Sequence, residues 1–439
     1  MPVRARARSS RSATLSSSGA RFDNLMTSSD VPGSHVFDDI RIADFAWVGV
    51  GPNATMQMAF HGAEVIRVES SHRPDTFRSS GPRPAGDGSL DASAYFAKFN
   101  RGKRSVAINL AHPRGAEVAK RLIAGADIVT ESFAPGFMER IGLSYDEVRQ
   151  IKPDVIMCSM SMEGQTGPHA KFRGFGLTLQ ATAGVTGVTG WPDRPPVGTG
   201  VAYTDWVATH VAIIGILAAL DHRRRTGEGQ YVDLSQLEAS TLVLDAGVLD
   251  AANTGRVAQP LGNRDLRHAP HGVYPCADDH TGGDRWVAIA VTNDDQWRRL
   301  ALIMDRQDWL ESEQLCDATG RLSAQDNLDD GISRWTSMQT VAEVEQLLQA
   351  VGVPGHRASN VRDAHEDPQL AHRNHWWTSD HAVIGEMSYE SPAWRLSETP
   401  PPMPAPSPLL GEDSEYVYRE LCGYSEEEFQ QLIVDGVVE

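Results

Sequence analysis

Between residues 40 and 159 the chain alternates short apolar runs with stretches of helical spacing, and this alternation limits the fold more than any other feature. The runs are 40–45, 64–68, 105–109, 127–131 and 155–159, each of strand length. Residues 54–60, 113–123 and 144–151 carry apolar side chains at helical intervals. Strands alternating with helices at this spacing predict a parallel sheet covered on both faces, an α/β fold. With 439 residues, 41% of them hydrophobic and 22% charged, the chain can bury a large core and is expected to form two domains.

Residues 160–204 change character and are rich in Gly, Thr and Pro. A glycine-rich segment of this length inside a folded protein points to function or disorder. The strongly apolar helix predicted at 205–220 argues for function. A strand at 231–234 and a helix at 235–252 follow. Beyond a loop, strands at 273–275 and 286–291 open a smaller domain with helices near 294–303 and 340–350. Residues 395–409 form a proline-rich crossing, and Ser425 with Glu428 gives a capping-box start to a last helix ending at Val434.

The formal net charge of −18 repels phosphate backbones and anionic lipid, so neither nucleic acid nor a membrane surface is an expected partner. The longest apolar run, 211–220, is too short to span a bilayer. Four widely spaced cysteines make neither a disulfide framework nor a zinc site and fit a reducing cytoplasm. Residues 1–22 hold five arginines and six serines without an acid, which resembles a transit peptide. The preferred reading is a disordered extension over 1–35, or a true start at Met26.

Many familiar sites are absent. The 15 histidines include no HExxH, and there is no Walker A or GxSxG sequence. Gly49-Val50-Gly51 lacks the third glycine of a dinucleotide fingerprint. His210 reads as a satisfied core or interface histidine, and Trp376-Trp377 as packing. Asp205 stands apart because Gly198-Thr199-Gly200-Val201-Ala202-Tyr203-Thr204 leads into it and the apolar helix follows. On the residues alone, a helix-capping or first-turn acid is the commoner role. A carboxylate there is also held ionised and can attack an activated acyl group, with glycine N–H groups as oxyanion donors. Cations gather at Arg101-Gly102-Lys103-Arg104, before a strand, and at Arg140, after Phe133-Ala134-Pro135-Gly136. From position alone, ordinary surface charge explains them as well as a phosphate site does.

The motifs in order carry a resemblance. Asp44-Phe45-Ala46-Trp47-Val48-Gly49-Val50-Gly51-Pro52 is followed by Gly62-Ala63-Glu64-Val65-Ile66-Arg67-Val68-Glu69, Phe99-Asn100-Arg101-Gly102-Lys103-Arg104 and Glu131-Ser132-Phe133-Ala134-Pro135-Gly136. Thr204-Asp205, Arg225-Thr226-Gly227-Glu228-Gly229-Gln230, Pro270-His271-Gly272-Val273-Tyr274 and Leu409-Leu410-Gly411-Glu412 complete the set. Over residues 38–439 the chain resembles the class III CoA-transferases, the CaiB/BaiF family, which includes formyl-CoA and carnitine CoA-transferases. The resemblance implies a large Rossmann-like domain (36–235), a linker helix and loop (236–270), a small α+β domain (271–375) and a return segment (376–439). It implies an interlocked ring homodimer and no permanently bound cofactor, with coenzyme A and acyl-CoA as substrates. Asp205 falls on the family nucleophile, which forms an aspartyl-CoA thioester. Arg140 falls on a CoA-contacting arginine, Lys103, Arg104 and Phe133 lie in segments bordering CoA, and Trp47, Gly49 and Gln180 lie at the acyl end.

Two departures narrow the substrate. Gly49 stands where formyl-CoA transferases carry glutamine, and Trp47 where they carry histidine. Of their tetraglycine lid only Gly282-Gly283 is left. Formyl transfer is therefore not expected, and a bulkier donor such as succinyl-CoA is. Acyl-CoA racemases of the same family use a Gly-His-Asp segment as second base, whereas this chain has Gly174-Phe175-Gly176, and phenylalanine moves no proton. A non-catalytic CoA-thioester binder is the reading from another class, and retention of Asp205 argues against it.

Overall fold

A computed structural model describes residues 35–279 and 283–439. The expected extension over 1–35 falls almost wholly outside them, as does Gly282 of the lid comparison. The chain divides into two units. The first gathers the described residues up to Met160 with Ala212–Asp233 and Trp377–Glu439, and the second joins Ser161–Val211 to Leu234–Trp376. The glycine-rich segment before Asp205, expected with the large domain, therefore groups with the smaller one.

The first unit is built on a six-stranded sheet of β1 (Arg41–Asp44), β2 (Glu64–Glu69), β3 (Arg104–Ala107), β4 (Ile128–Glu131), β5 (Ile156–Ser161) and β6 (Tyr231–Ser235), in the order β3-β2-β1-β4-β5-β6. β1 runs parallel to both β2 and β4, and the pairs β2–β3 and β4–β5 are parallel too. Every residue of β4 and β5 is buried, as a sheet covered on both faces requires. One core joins Ala43, Ile66, Val106 and Val129 of the strands to Val118 and Leu122 of the helix Gly115–Ala124 and to Tyr418, Phe429 and Leu432 near the C-terminus. This order reverses direction between β1 and β4, and ligands of doubly wound sheets bind at that switch point, beyond the carboxyl ends of the strands.

The edge strand β3 does not expose a free ladder. Ser105 N–H donates to Asp413 Oδ2 and Ala107 N–H to Ser414 Oγ, at 2.9 and 3.1 Å, and Gly411 N–H returns a bond to Ser105 Oγ. The Leu409-Leu410-Gly411-Glu412 motif thus leads into a segment that blunts the edge. Gly411, with φ 70°, makes the turn that allows it.

The Asp205 helix is longer than expected, Tyr203–Thr226 instead of 205–220. By length and composition alone it could cross a membrane. Its residues Ala208, Ala212, Ile216, Ala219 and Leu220 are buried along one face, as in an ordinary core helix. Arg223, Arg224 and Arg225 extend its last turn, where cations suit the helix dipole. The helix expected at 235–252 is broken at Asp245, whose φ is 42°, into Gln236–Thr241 and Ala246–Thr254.

In the second unit β7 (His271–Pro275), β8 (Trp286–Ala290) and β9 (Gly355–Arg357) form an antiparallel sheet. Val287 and Ile289 pack with Trp297, Leu300, Ile332 and Leu348 of the surrounding helices into a separate core. β10 (Trp376–His381) and β11 (Gly385–Glu390) make a two-stranded ribbon at the start of the return segment. The Trp376–Trp377 pair opens it, with Trp377 edge-on to Phe60 at 6.3 Å.

Candidate active site

In the first unit the switch point is occupied by aromatic residues. Trp47 follows β1, Phe133 follows β4, and their rings meet edge to face at 5.5 Å. Phe137 packs at a tilt against Phe133 at 4.3 Å, and the Arg140 guanidinium lies 5.6 Å from the Phe137 ring. Gly136, with φ 83°, turns the chain into the short helix Phe137–Arg140. Arg140 is exposed and has no carboxylate partner among the described residues. The result is an apolar slot with one uncommitted cation, placed where a doubly wound sheet binds ligands.

Gly49 sits at the start of the helix Val50–Phe60. The close packing there explains the glycine two places on, since a Cβ on Gly51 would meet Ala46 Cβ at 2.2 Å. Glu131 ends β4 beside Phe133. Burial pushes its carboxyl up to about 7, against the bonds from Ser159 and from Phe133 N–H.

Arg104 is not brought to this place, and Lys103 reaches the end of β1 only in a buried contact with Asp44. Lys103 is buried, and its ammonium lies 2.9 Å from both Asp44 Oδ2 and Asn100 Oδ1. Burial pushes it down to about 8 against the pull of Asp44. Arg104 lies on edge strand β3, three strand spacings or roughly 14 Å from β4. It pairs with Asp413 at 2.8 Å and Glu64 at 3.4 Å. The cleft of about 530 Å³ beside it sets Lys103 and Arg104 against Glu64, Asp380, Glu412 and Asp413, and this excess of acids is a poor setting for a polyphosphate. Of the cations expected to border coenzyme A, the structure leaves Arg140 available and commits the other two to the fold.

In the second unit Asp205 is the third residue of its helix, in the first turn. Its carboxylate is half-buried and close to the Gly176 backbone. A Cβ on Gly176 would stand 3.6 Å from Asp205 Oδ1 and 2.7 Å from Ala202 Cβ, so only glycine fits. Among the described residues no cation relieves the burial, which pushes the carboxyl up to about 6 while the neighbouring Thr204 hydroxyl pulls it the other way.

Gln180 is fully buried and holds the approach to Asp205. Its Nε2 donates to Val201 O, and its Oε1 accepts from Thr199 N–H and Oγ–H at 3.4 and 3.1 Å. Gln180 is expected at the acyl end; its two amide atoms are used on the loop that carries Asp205. Phe175, where racemases have histidine, is 84% exposed. His210 is exposed and bonds the Trp206 carbonyl one turn back at 2.7 Å, a local contact. Among the described residues no group of three or more His, Cys, Asp and Glu side chains has metal-binding geometry.

Comparison with known proteins agrees with the motif order. The family model for CoA-transferase family III matches residues 37–414. Succinyl-CoA–D-citramalate CoA-transferase of Chloroflexus aurantiacus is 30% identical over 401 residues, 91% of this chain and 98% of that protein. Succinate–glutarate CoA-transferase of Agrobacterium fabrum is 32% identical, covering 87% of this chain and 94% of its own. A solved CaiB/BaiF family protein from Brucella suis superimposes with a TM-score of 0.79 at 28% identity, over 88% of this chain and 99% of that one. The chain belongs to CoA-transferase family III and is an enzyme of that family.

Proposed function

We propose that this enzyme moves coenzyme A from succinyl-CoA to a small dicarboxylic acid through a covalent intermediate on Asp205. The observation that carries the proposal is the carboxylate itself. It is withdrawn from water, has no neutralising cation among the described residues, and lies close to the backbone of Gly176. An ionised but poorly solvated carboxylate is a good acyl nucleophile.

In the proposed sequence Asp205 attacks the thioester carbonyl of the donor, and the C–S bond breaks to give a mixed anhydride and CoA thiolate. The thiolate attacks the aspartyl carbonyl, releasing succinate and leaving an aspartyl-CoA thioester. The acceptor carboxylate attacks that thioester and frees the thiolate again. Attack of the thiolate on the new acyl carbonyl then yields product acyl-CoA and restores Asp205. Each step exchanges one activated acyl group for another, so the overall reaction is nearly balanced.

Arg140 with Phe133 and Phe137 supports a site for the anionic and aromatic parts of coenzyme A, and Trp47, which meets Phe133 edge to face, supports the acyl end. Gly49, in place of a long polar side chain, supports an acyl group larger than formyl. The relatives named for citramalate and glutarate support a dicarboxylic acceptor. Phe175 supports transfer over racemisation, because a second proton-transfer group is missing beside the glycine that faces Asp205. Exposed Ile214, Leu217, Leu242, Leu249 and Leu266 support a homodimer, since so many uncovered aliphatic side chains mark an interface. A cytoplasmic homodimer acting on soluble CoA thioesters completes the reading.

The test is label exchange. Radiolabelled succinate should enter succinyl-CoA without net turnover, and glutarate or citramalate should draw CoA from it. Absence of exchange, with α-proton washout from a 2-methylacyl-CoA in deuterated water, would instead establish the racemase reading.

A further inference from the structure

The loop after β1 holds a conformation that its own sequence disfavours. Val48 has φ 67°, in the left-handed region, where a β-branched side chain is strained. Such a residue persists only where its surroundings over-determine it. On one side Trp47 N–H donates to Ser132 Oγ at 2.8 Å, and the Ser132 hydroxyl donates back to Trp47 O at 3.1 Å. On the other, Val48 N–H donates to Asp75 Oδ2 at 3.0 Å.

That oxygen also takes Arg67 Nη2, and the Arg67 guanidinium faces Asp44 Oδ2 at 3.8 Å. Asp75 Oδ1 accepts from Phe77 N–H at 2.9 Å. Asp75 and Arg67 are 1% and 0% exposed. A neutral acceptor would satisfy one turn N–H. A fully buried ion pair is a far stiffer anchor, and it is aimed at the strained residue between Trp47 and Gly49.

We propose that Asp75, kept in place by Arg67, is a positioning residue: through Val48 it fixes where Trp47 and Gly49 stand against the acyl group. The proposal rests on the reading that these two residues line the acyl pocket.

The discriminating variant is Val48→Gly. Glycine adopts this φ freely, so the substitution removes strain and frees the loop without deleting any hydrogen-bonding group. The expected result is a thermal midpoint no lower than wild type and a kcat/KM for the acceptor acid reduced at least about tenfold. The Kd for free coenzyme A should stay within about twofold of wild type. Asp75→Asn keeps an acceptor oxygen and should lose less. Because Asp75 acts through Val48, the double variant should be no worse than Val48→Gly alone. Wild-type turnover by Val48→Gly, or additive losses in the double variant, would overturn the proposal. A wild-type enzyme that forms no adduct on Asp205 would instead overturn the transfer reading, so the two failures are distinguishable.

Discussion

Asp44 and Asp205 are both carboxylates drawn away from water, and their surroundings give them opposite properties. Burial alone would raise Asp44, but Lys103 and Arg67 beside it, with bonds from Lys103 and Thr55, hold it below the usual carboxylate range. The Thr130 hydroxyl and the Ala46 N–H donate to its other oxygen at 2.9 and 3.1 Å. Asp205 is buried without a cation and is pushed up to about 6. A buried charge whose partners are all in place holds structure together. One left without a counter-charge keeps its reactivity for a ligand.

The sharpest way to break this comparison is to neutralise each acid in turn. Asp205→Asn should lower turnover by at least about 10³-fold, measured by exchange of label between succinate and succinyl-CoA. The same variant should be more stable than wild type near pH 7.5, by up to about 2 kcal/mol in denaturant unfolding. The sign follows from the raised folded pKa. The unfolded chain ionises this group near pH 4, and the folded protein resists doing so until about pH 6. The gain should therefore shrink as pH falls through that window and vanish below it. Asp44→Ala should do the reverse, losing about 3–5 kcal/mol of stability because Lys103 and Arg67 are left buried without their acid.

Smaller effects sharpen the contrast. Arg140→Ala should weaken CoA binding roughly 10- to 100-fold by calorimetry, the worth of a charge-assisted phosphate contact. The pH profile of kcat/KM for the donor should rise about tenfold per unit at low pH and flatten near pH 6, where Asp205 becomes ionised. Arg104→Ala, which removes a cation already paired at the sheet edge, should change CoA affinity by less than about twofold.

What could be read from the sequence follows the same division. β1 to β5 were legible because a strand buried on both faces is a short apolar run between glycines, prolines and polar turns. β10 and β11 were not, because Thr378, Ser379 and Asp380, or Glu386 and Ser388, belong to half-exposed strands without an apolar run. The break at Asp245 was hidden by Leu242-Val243-Leu244, which continues a helical pattern through a 3₁₀ turn. The glycines before Asp205 and the helix after it single it out as a candidate, and the resemblance assigns it the nucleophile's role. The Lys103 contact was hidden because an ammonium facing phosphate and one facing Asp44 look alike in a sequence; only the parallel register brings Lys103, on the turn before β3, to Asp44 at the end of β1.

The central claim, that Asp205 carries the transferred group, is tested most directly by peptide mass mapping after incubation with succinyl-CoA. The account requires a coenzyme A adduct on the Asp205 peptide, converted to a hydroxamate by hydroxylamine and absent in Asp205→Ala. An unmodified Asp205 peptide in an enzyme that still exchanges CoA, or an adduct that persists in the alanine variant, would contradict it.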